Sequence, residues 1–328
     1  MIDNWLDRSP LTSLEETTTQ ALHRWLSEEG VVAVEPVTNA RNPVYLCKIR
    51  KTTDIPKVTS CFSGVNLYLK QVSAAELLVL QCLMSTSDTQ EAFVFSQIVS
   101  HLSVSSQNWV LLEELSASNP LSLESPRDIN ILTLGLAQFH QRGFDAVPIQ
   151  HKLPHLLGGL LNPLELEQLC NKYFTRGGQV MFNVIADSIE SDVQAPHVLL
   201  HGDLTPANIM LSRTVHNSKE QEYVVGFIDF EYVSIGNPLW DLGMVAIELT
   251  EFDLETTGST LIAKFEELLE SYRLNGGIVP PEQLETAWAW MVCYWLVAKE
   301  WAESNHQPTA TYRRLVPAIK EIVRLYSA

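Results

Sequence analysis

Basic residues are scarce in this chain: 22 lysines and arginines face 39 aspartates and glutamates, a formal net charge of −17. A surface of that sign argues against nucleic acid and anionic membranes as partners, since both are polyanions. Cysteine is thin as well. Cys47, Cys61, Cys82, Cys170 and Cys293 are odd in number and scattered, with no Cys-x-x-Cys pair. That pattern fits reduced, mostly buried thiols of a cytoplasmic protein rather than a disulfide framework or a zinc site. The longest apolar run, Ala287 to Ala298, has 12 residues, short of the roughly 20 that a membrane-spanning helix needs. The amino terminus, Met1-Ile2-Asp3-Asn4-Trp5-Leu6-Asp7, carries acids where a secretory signal would carry bases. Repeats and low-complexity tracts are lacking too. What remains is an ordinary globular composition over 328 residues, long enough for two lobes or one large domain.

The informative residues are concentrated between positions 198 and 241. Val198-Leu199-Leu200-His201-Gly202-Asp203-Leu204-Thr205-Pro206-Ala207-Asn208-Ile209-Met210 is followed, after a polar excursion, by Val224-Val225-Gly226-Phe227-Ile228-Asp229-Phe230-Glu231-Tyr232. Each half is an apolar, β-branched run that leads into a carboxylate. Such runs read as buried strands, and carboxylates at strand ends read as a site. His201-x-Asp203-x4-Asn208, then an apolar strand and Asp229, resembles the catalytic segment of the protein-kinase superfamily. The resemblance implies that Asp203 orients the acceptor hydroxyl and takes its proton, and that Asn208 and Asp229 hold Mg²⁺. His201 would fix the loop by packing and hydrogen bonding rather than move protons. Asp229-Phe230-Glu231-Tyr232 and then Gly236-Asn237-Pro238-Leu239-Trp240-Asp241-Leu242 resemble the small-molecule kinases, namely the aminoglycoside phosphotransferases and the choline/ethanolamine kinases. In those families the residue matched by Asp241 braces the catalytic loop from beneath. No activation loop or Ala-Pro-Glu segment follows, so the expected acceptor is a small-molecule alcohol rather than a protein.

Upstream, a helix is expected from about Ser13 to Glu29, with Ser13 and Glu16 forming a capping box. Val31 to Val37 and Val44 to Ile49 read as strands around the turn at 38–43. That turn contains no glycine, a departure from the kinase phosphate loop, and Asn39 is the residue there whose backbone would meet phosphates. Val65 to Lys70 alternates as a strand and a helix begins near Ala74. Glu76-x3-Leu80-x2-Leu83 matches the kinase helix that partners the ATP lysine, so the resemblance assigns Lys70 to the phosphates and Glu76 to orienting it. Lys48, on the earlier strand, is the rival lysine. Trp109 to Leu115 resembles the strand entering the interlobe hinge, where backbone groups around Glu113 and Leu115 would bond adenine. Ser116 to Pro126 reads as a connector. Leu134 to His140 closes a helix that looks like the family's, and His140 reads as structural.

The resemblance therefore implies an α+β, protein-kinase-like fold of two lobes. Residues 1–115 form a small β-rich nucleotide-binding lobe, and residues 116–328 a helical catalytic and acceptor-binding lobe. The implied reaction moves the γ-phosphoryl group of ATP, with Mg²⁺, to a hydroxyl. After Asp241 the pattern is helical throughout. Half of the tryptophans lie on one expected helix, Pro281 to Glu303, at positions 288, 290, 295 and 301. Its two aromatic faces leave one for core and one for the acceptor cleft. With the acidic balance this points to a choline- or ethanolamine-like cation held by Trp290, Tyr294 or Trp295 and by Glu231, the nearest carboxylate. An aminoglycoside-, thiamine- or sugar-type acceptor stays open, as does a nucleotide-binding pseudokinase.

Overall fold

A computed structural model of the chain describes residues 14–37, 44–49, 66–85, 92–115, 117–119, 121–145, 153–156, 162–174, 178–191, 197–214, 222–249 and 256–326. Helix α1 (Glu16–Glu28) is followed by strands β1 (Val31–Pro36), β2 (Val44–Ile49) and β3 (Asn66–Val72). Helix α2 (Ala74–Ser85) comes next, then β4 (Phe93–Phe95), β5 (Ile98–Val104) and β6 (Gln107–Glu113). One antiparallel sheet takes the order β1-β2-β3-β6-β5, and this is the amino-terminal lobe. Its outer face is covered by α1, whose Leu22, Trp25 and Leu26 are buried against Trp109, Leu69 and Leu111 of the sheet. Side chains of that size contribute roughly 1.5–3 kcal/mol each on full burial. The Trp25 indole N–H donates to Ser100 Oγ at 3.0 Å, and that hydroxyl donates to Glu29 Oε1 at 2.5 Å, pinning the helix to β5.

The carboxy-terminal lobe is helical around a small second sheet. Strands β7 (Ala117–Asn119), β9 (Ile209–Thr214) and β10 (Glu222–Phe227) form it with β4, in the order β4-β10-β9-β7, while β8 (Val198–Leu200) pairs separately with β11 (Ser234–Gly236). The helices are α3 (Pro126–Asp145), α4 (Pro163–Tyr173), α5 (Gly178–Ser191), α6 (Pro238–Glu248), α7 (Gly258–Leu274), α8 (Ala287–Ser304), α9 (Ala310–Arg314) and α10 (Val316–Tyr326). The β9–β10 hairpin, in register from Glu222↔Thr214 to Phe227↔Ile209, presents the two halves of the 198–241 motif side by side.

Several sequence expectations need correction. A further strand, 98–104, is added: Leu102 and Val104 share one side and are only half-buried, and Ser100 interrupts the apolar pattern there. Strand β4 pairs parallel with β10 in the other lobe's sheet, because Phe93 packs against Phe139 and Phe227 there. Residues 117–119 of the expected connector form a strand against β9. The helix from Pro281 is broken: a 3₁₀ turn (Pro281–Gln283) precedes α8, which starts at Ala287. Ser13 of the expected capping box lies outside the described residues, and the N-cap of α1 is Glu15, without a side-chain cap. Cys61 also lies outside them, whereas Cys47, Cys170 and Cys293 are buried thiols. Burial pushes the Cys47 thiol up to about 12, which suits packing rather than reactivity. Among the described residues no helix is long and apolar enough to cross a membrane.

Candidate active site

Between the two sheets lies a cavity of about 320 Å³. Val37 and Val44, which flank the glycine-free turn, line it from above, and Leu80, Met210 and Ile228 supply further apolar walls. The turn itself, with Asn39, lies outside the described residues. On β3, Tyr68 and Lys70 point to the same side, as alternation requires, and both line the cavity. Tyr68 escaped the sequence reading, although its place two residues before Lys70 on one strand face is the signal that identifies it. Its hydroxyl donates to Glu114 Oε1 at 3.1 Å. Leu115 lines the cavity with Leu112 and Glu114. Glu113 does not: it is buried, and its N–H is committed to Gln97 O at 2.9 Å. A hydrogen-bonding edge there falls to its neighbours.

Lys70 is 6 % exposed and its Nζ lies 2.6 Å from Glu76 Oε1 and 2.5 Å from Asp229 Oδ1. Burial by itself would lower the ammonium's pKa, but the carboxylates of Glu76 and Asp229 outweigh it and hold it above its usual value. Glu76 shows the opposite tendency, burial pushing its carboxyl up despite Lys70. One ammonium between two carboxylates at hydrogen-bond distance makes the charged lysine the governing direction. Glu76 is placed by the start of α2, where its N–H donates to Ser73 Oγ at 3.0 Å. Lys48, by contrast, has a side chain 53 % exposed and pairs with Glu35 on the neighbouring strand. A Lys70→Met change is therefore expected to weaken nucleotide binding about tenfold or more, the cost of losing a charge-assisted contact. Lys48→Met should leave it within about twofold. Titrating both variants with an ATP analogue measures this, and the reverse outcome would move the assignment by one strand.

Below the cavity, residues 201–208 form a loop between β8 and β9. Gly202 has φ +78, and a Cβ there would lie 2.3 Å from Tyr232 O, so glycine is required. His201 is fully buried, and its Nε2–H donates to Ile228 O at 3.0 Å while Nδ1 accepts from Asp203 N at 3.3 Å. Burial holds its pKa below the usual value, so the ring is neutral and acts as a spacer between the loop and β10. Asn208 Nδ2 donates to Asp203 O at 2.9 Å and to Asp203 Oδ2 at 2.8 Å. That orientation leaves the amide oxygen on the cavity side. Asp229 sits at φ +64, a region that aspartate tolerates better than most residues, and its side chain is 38 % exposed.

Asp241, on the first turn of α6, is fully buried beneath this loop. Its Oδ2 accepts from His201 N at 2.8 Å and its Oδ1 from Gly202 N at 3.1 Å. Leu204 N donates to Met244 Sδ on the next turn of the same helix face. Two turns on from Asp241 stands Glu248, whose Oε1 accepts from Tyr294 OH at 2.7 Å and Tyr312 OH at 2.6 Å. Trp240 meets the Tyr294 ring edge-on, 5.5 Å between centroids. Burial first, then Glu248, Tyr312 and Asp203, push the Tyr294 hydroxyl well above the usual range, so it stays a donor.

Of the aromatic residues expected to face an acceptor, only Tyr294 belongs to this cluster. Trp290 and Trp295 are each 1 % exposed and are corrected to core. Trp295 packs edge-on against Tyr173 and donates to Tyr312 O at 3.1 Å. A helix apolar all round is buried all round. Glu231 is half-buried, and its charge is felt at Glu76, on the nucleotide side. Glu248 is the carboxylate the sequence reading missed. Its spacing of seven from Asp241, on a helix already anchored under the loop, is the available signal.

The set Asn208 and Asp229 offers hard oxygen ligands, and no group of three or more His, Cys, Asp or Glu forms a metal cage among the described residues. Two protein ligands beside a phosphate-sized cavity fit Mg²⁺, which is commonly completed by substrate phosphates and water.

The model of the phosphotransferase enzyme family matches residues 97–274, more than half of the chain. No curated protein sequence matches. Among solved structures, an aminoglycoside 2'-phosphotransferase-IIIa variant with GDP superposes with TM-score 0.59 at 12 % identity, covering 95 % of this chain and 99 % of that one. Amicoumacin kinase hAmiN, with AMP-PNP, Ca²⁺ and Ami, gives 0.58 at 13 % identity, covering 95 % and 96 %. Choline kinase LicA from Streptococcus pneumoniae gives 0.55 at 16 % identity, covering 94 % and 100 %. At these identities the likeness is one of fold, a β-sheet amino-terminal lobe on a helical carboxy-terminal one.

Proposed function

Because the chain belongs to the phosphotransferase enzyme family, we propose that it moves the γ-phosphoryl group of ATP to a hydroxyl of a small cationic molecule, choline- or ethanolamine-like. One observation carries the reading: Lys70, Asn208 and Asp229 line a single cavity, and Asp203 is hydrogen-bonded to Asn208 at its edge. Phosphoryl transfer needs positioning and charge neutralisation more than covalent help. Tyr68, Met210 and the valines take the base, Leu115 and its neighbours its edge, and Lys70, oriented by Glu76, the phosphates. Asn208 and Asp229 would hold Mg²⁺, which when bound would offset phosphate charge. Asp203 orients the acceptor hydroxyl and receives its proton. His201 and Asp241 keep the loop in shape. The lobe boundary in this reading falls between β6 and β7.

The acceptor class rests on the Glu248 cluster. A carboxylate held by two tyrosine hydroxyls, one of them on the ring that Trp240 meets edge-on, is an arrangement that suits a desolvated ammonium. Ring faces and a carboxylate together support micromolar-to-millimolar binding. Choline should therefore be preferred at least tenfold in kcat/KM over its neutral isostere with carbon in place of nitrogen, and Glu248→Gln should erase the preference. Equal use of the two acceptors by the unmodified enzyme would remove the cationic assignment and leave the phosphotransfer reading standing.

A further inference from the structure

The loop-bracing carboxylate Asp241 has a third partner that the phosphotransfer chemistry leaves unused. His140 Nε2, on α3, lies 3.1 Å from Asp241 Oδ2, and His140 Nδ1 lies 2.7 Å from Tyr272 OH on α7. All three side chains are fully buried. Asp241 accepts two backbone N–H groups from the loop, and the same Oδ2 that takes His201 N faces His140, so Nε2–H is the donor in that contact. The other ring nitrogen is then a lone pair, and Tyr272 O–H is the donor that meets it. The tyrosine is fixed from several sides. Its oxygen receives the Ile278 backbone N–H, and Gly277 packs so closely under the ring that a Cβ would lie 2.2 Å from Cε1. Ser271 and Asn275, flanking it on α7, hydrogen-bond to Thr133 of α3 at 2.7 and 3.0 Å. Burial pushes the Tyr272 hydroxyl up, keeping it a donor.

We propose that Tyr272 is a positioning residue for the loop 201–208: its hydroxyl pairs His140 Nδ1 and holds the ring at the angle from which Nε2–H braces Asp241 under the His201 and Gly202 amides. The inference rests on the phosphotransferase reading for its kinetic consequence, but not for its chemistry. Without that hydroxyl Nδ1 is an unpaired acceptor in a buried site, and the ring is free to turn away from the Asp241 carboxylate. The loop loses part of its brace although every apolar contact remains.

Two measurements test this in the full chain. Ring ¹⁵N shifts should report His140 as the Nε2–H tautomer in the wild type with Nδ1 as a hydrogen-bonded acceptor, and in Tyr272→Phe the Nδ1 shift should move to that of an unbonded lone pair. In acceptor-dependent ATP turnover, Tyr272→Phe should lower kcat about tenfold with nucleotide KM within about twofold, the signature of a misplaced loop rather than lost binding. In a His140→Gln background, where the amide N–H faces Asp241 whatever Tyr272 does, Tyr272→Phe should have no further effect. An equal loss in both backgrounds, or a lowered Tm with kcat unchanged, would make Tyr272 a packing residue and overturn the proposal. An Nδ1–H tautomer in the wild type would overturn it alone, even if Tyr272→Phe failed to fold. Absence of turnover with any acceptor, alongside the expected ring shifts, would sink the phosphotransferase reading and leave the Tyr272–His140 relay intact.

Discussion

Asp229→Asn is expected to reduce phosphoryl transfer by roughly 10³-fold or more while leaving the fold in place, because it removes the one carboxylate among the proposed metal ligands. Asparagine is the better probe than alanine here. The residue sits at φ +64, which asparagine tolerates as aspartate does and which costs alanine about 1 kcal/mol or more. Lys70 keeps its contact with Glu76 at 2.6 Å, so the substitution does not strand a buried ammonium. Turnover measured across a Mg²⁺ titration, with Tm as the control for folding, reads the effect. Transfer at the unmodified rate would remove Asp229 from the site.

Asp203→Asn should lower kcat by roughly 10²-fold or more, the usual worth of a positioned general base. Shape is preserved: Asn208 Nδ2 still has the Asp203 backbone oxygen at 2.9 Å, and the new amide oxygen can accept where Oδ2 did. The nucleotide Kd should stay within about twofold, since Asp203 faces the acceptor in the proposed arrangement and Lys70 and Asp229 face the phosphates. A rise in Kd with kcat unchanged would reassign Asp203 to the nucleotide.

Legibility followed sequence distance. His201, Asp203, Asn208 and Asp229 are carried by one loop and one hairpin, so their spacing in the chain is nearly their arrangement in space. Lys70 and Glu76 are six residues apart across a strand-to-helix turn, again a local geometry. Glu113 is buried with its N–H committed to Gln97 O, a pairing that strand periodicity does not reveal because it tells which residues share a side but not where the strand leaves the sheet. The cleft face of the tryptophan-rich helix was misjudged for a different reason. Trp290 and Trp295 are apolar on every side of α8, and a pattern with no polar face gives no direction.

The sequence by itself determined the chemistry-bearing loop, the two lobes' element types and the lysine–glutamate pair, because strand alternation, turn residues and short spacings act over one or two elements. Only the tertiary structure decided which carboxylate the Tyr294 and Tyr312 hydroxyls meet. Glu248 is brought there by α6 being anchored under the loop through Asp241, and its tyrosine partners come from 46 and 64 residues away. The same holds for His140 and Asp241, 101 residues apart yet 3.1 Å between atoms. Contacts of that kind follow from how buried helices pack against one another, and packing depends on the complementarity of whole surfaces, which no local periodicity encodes.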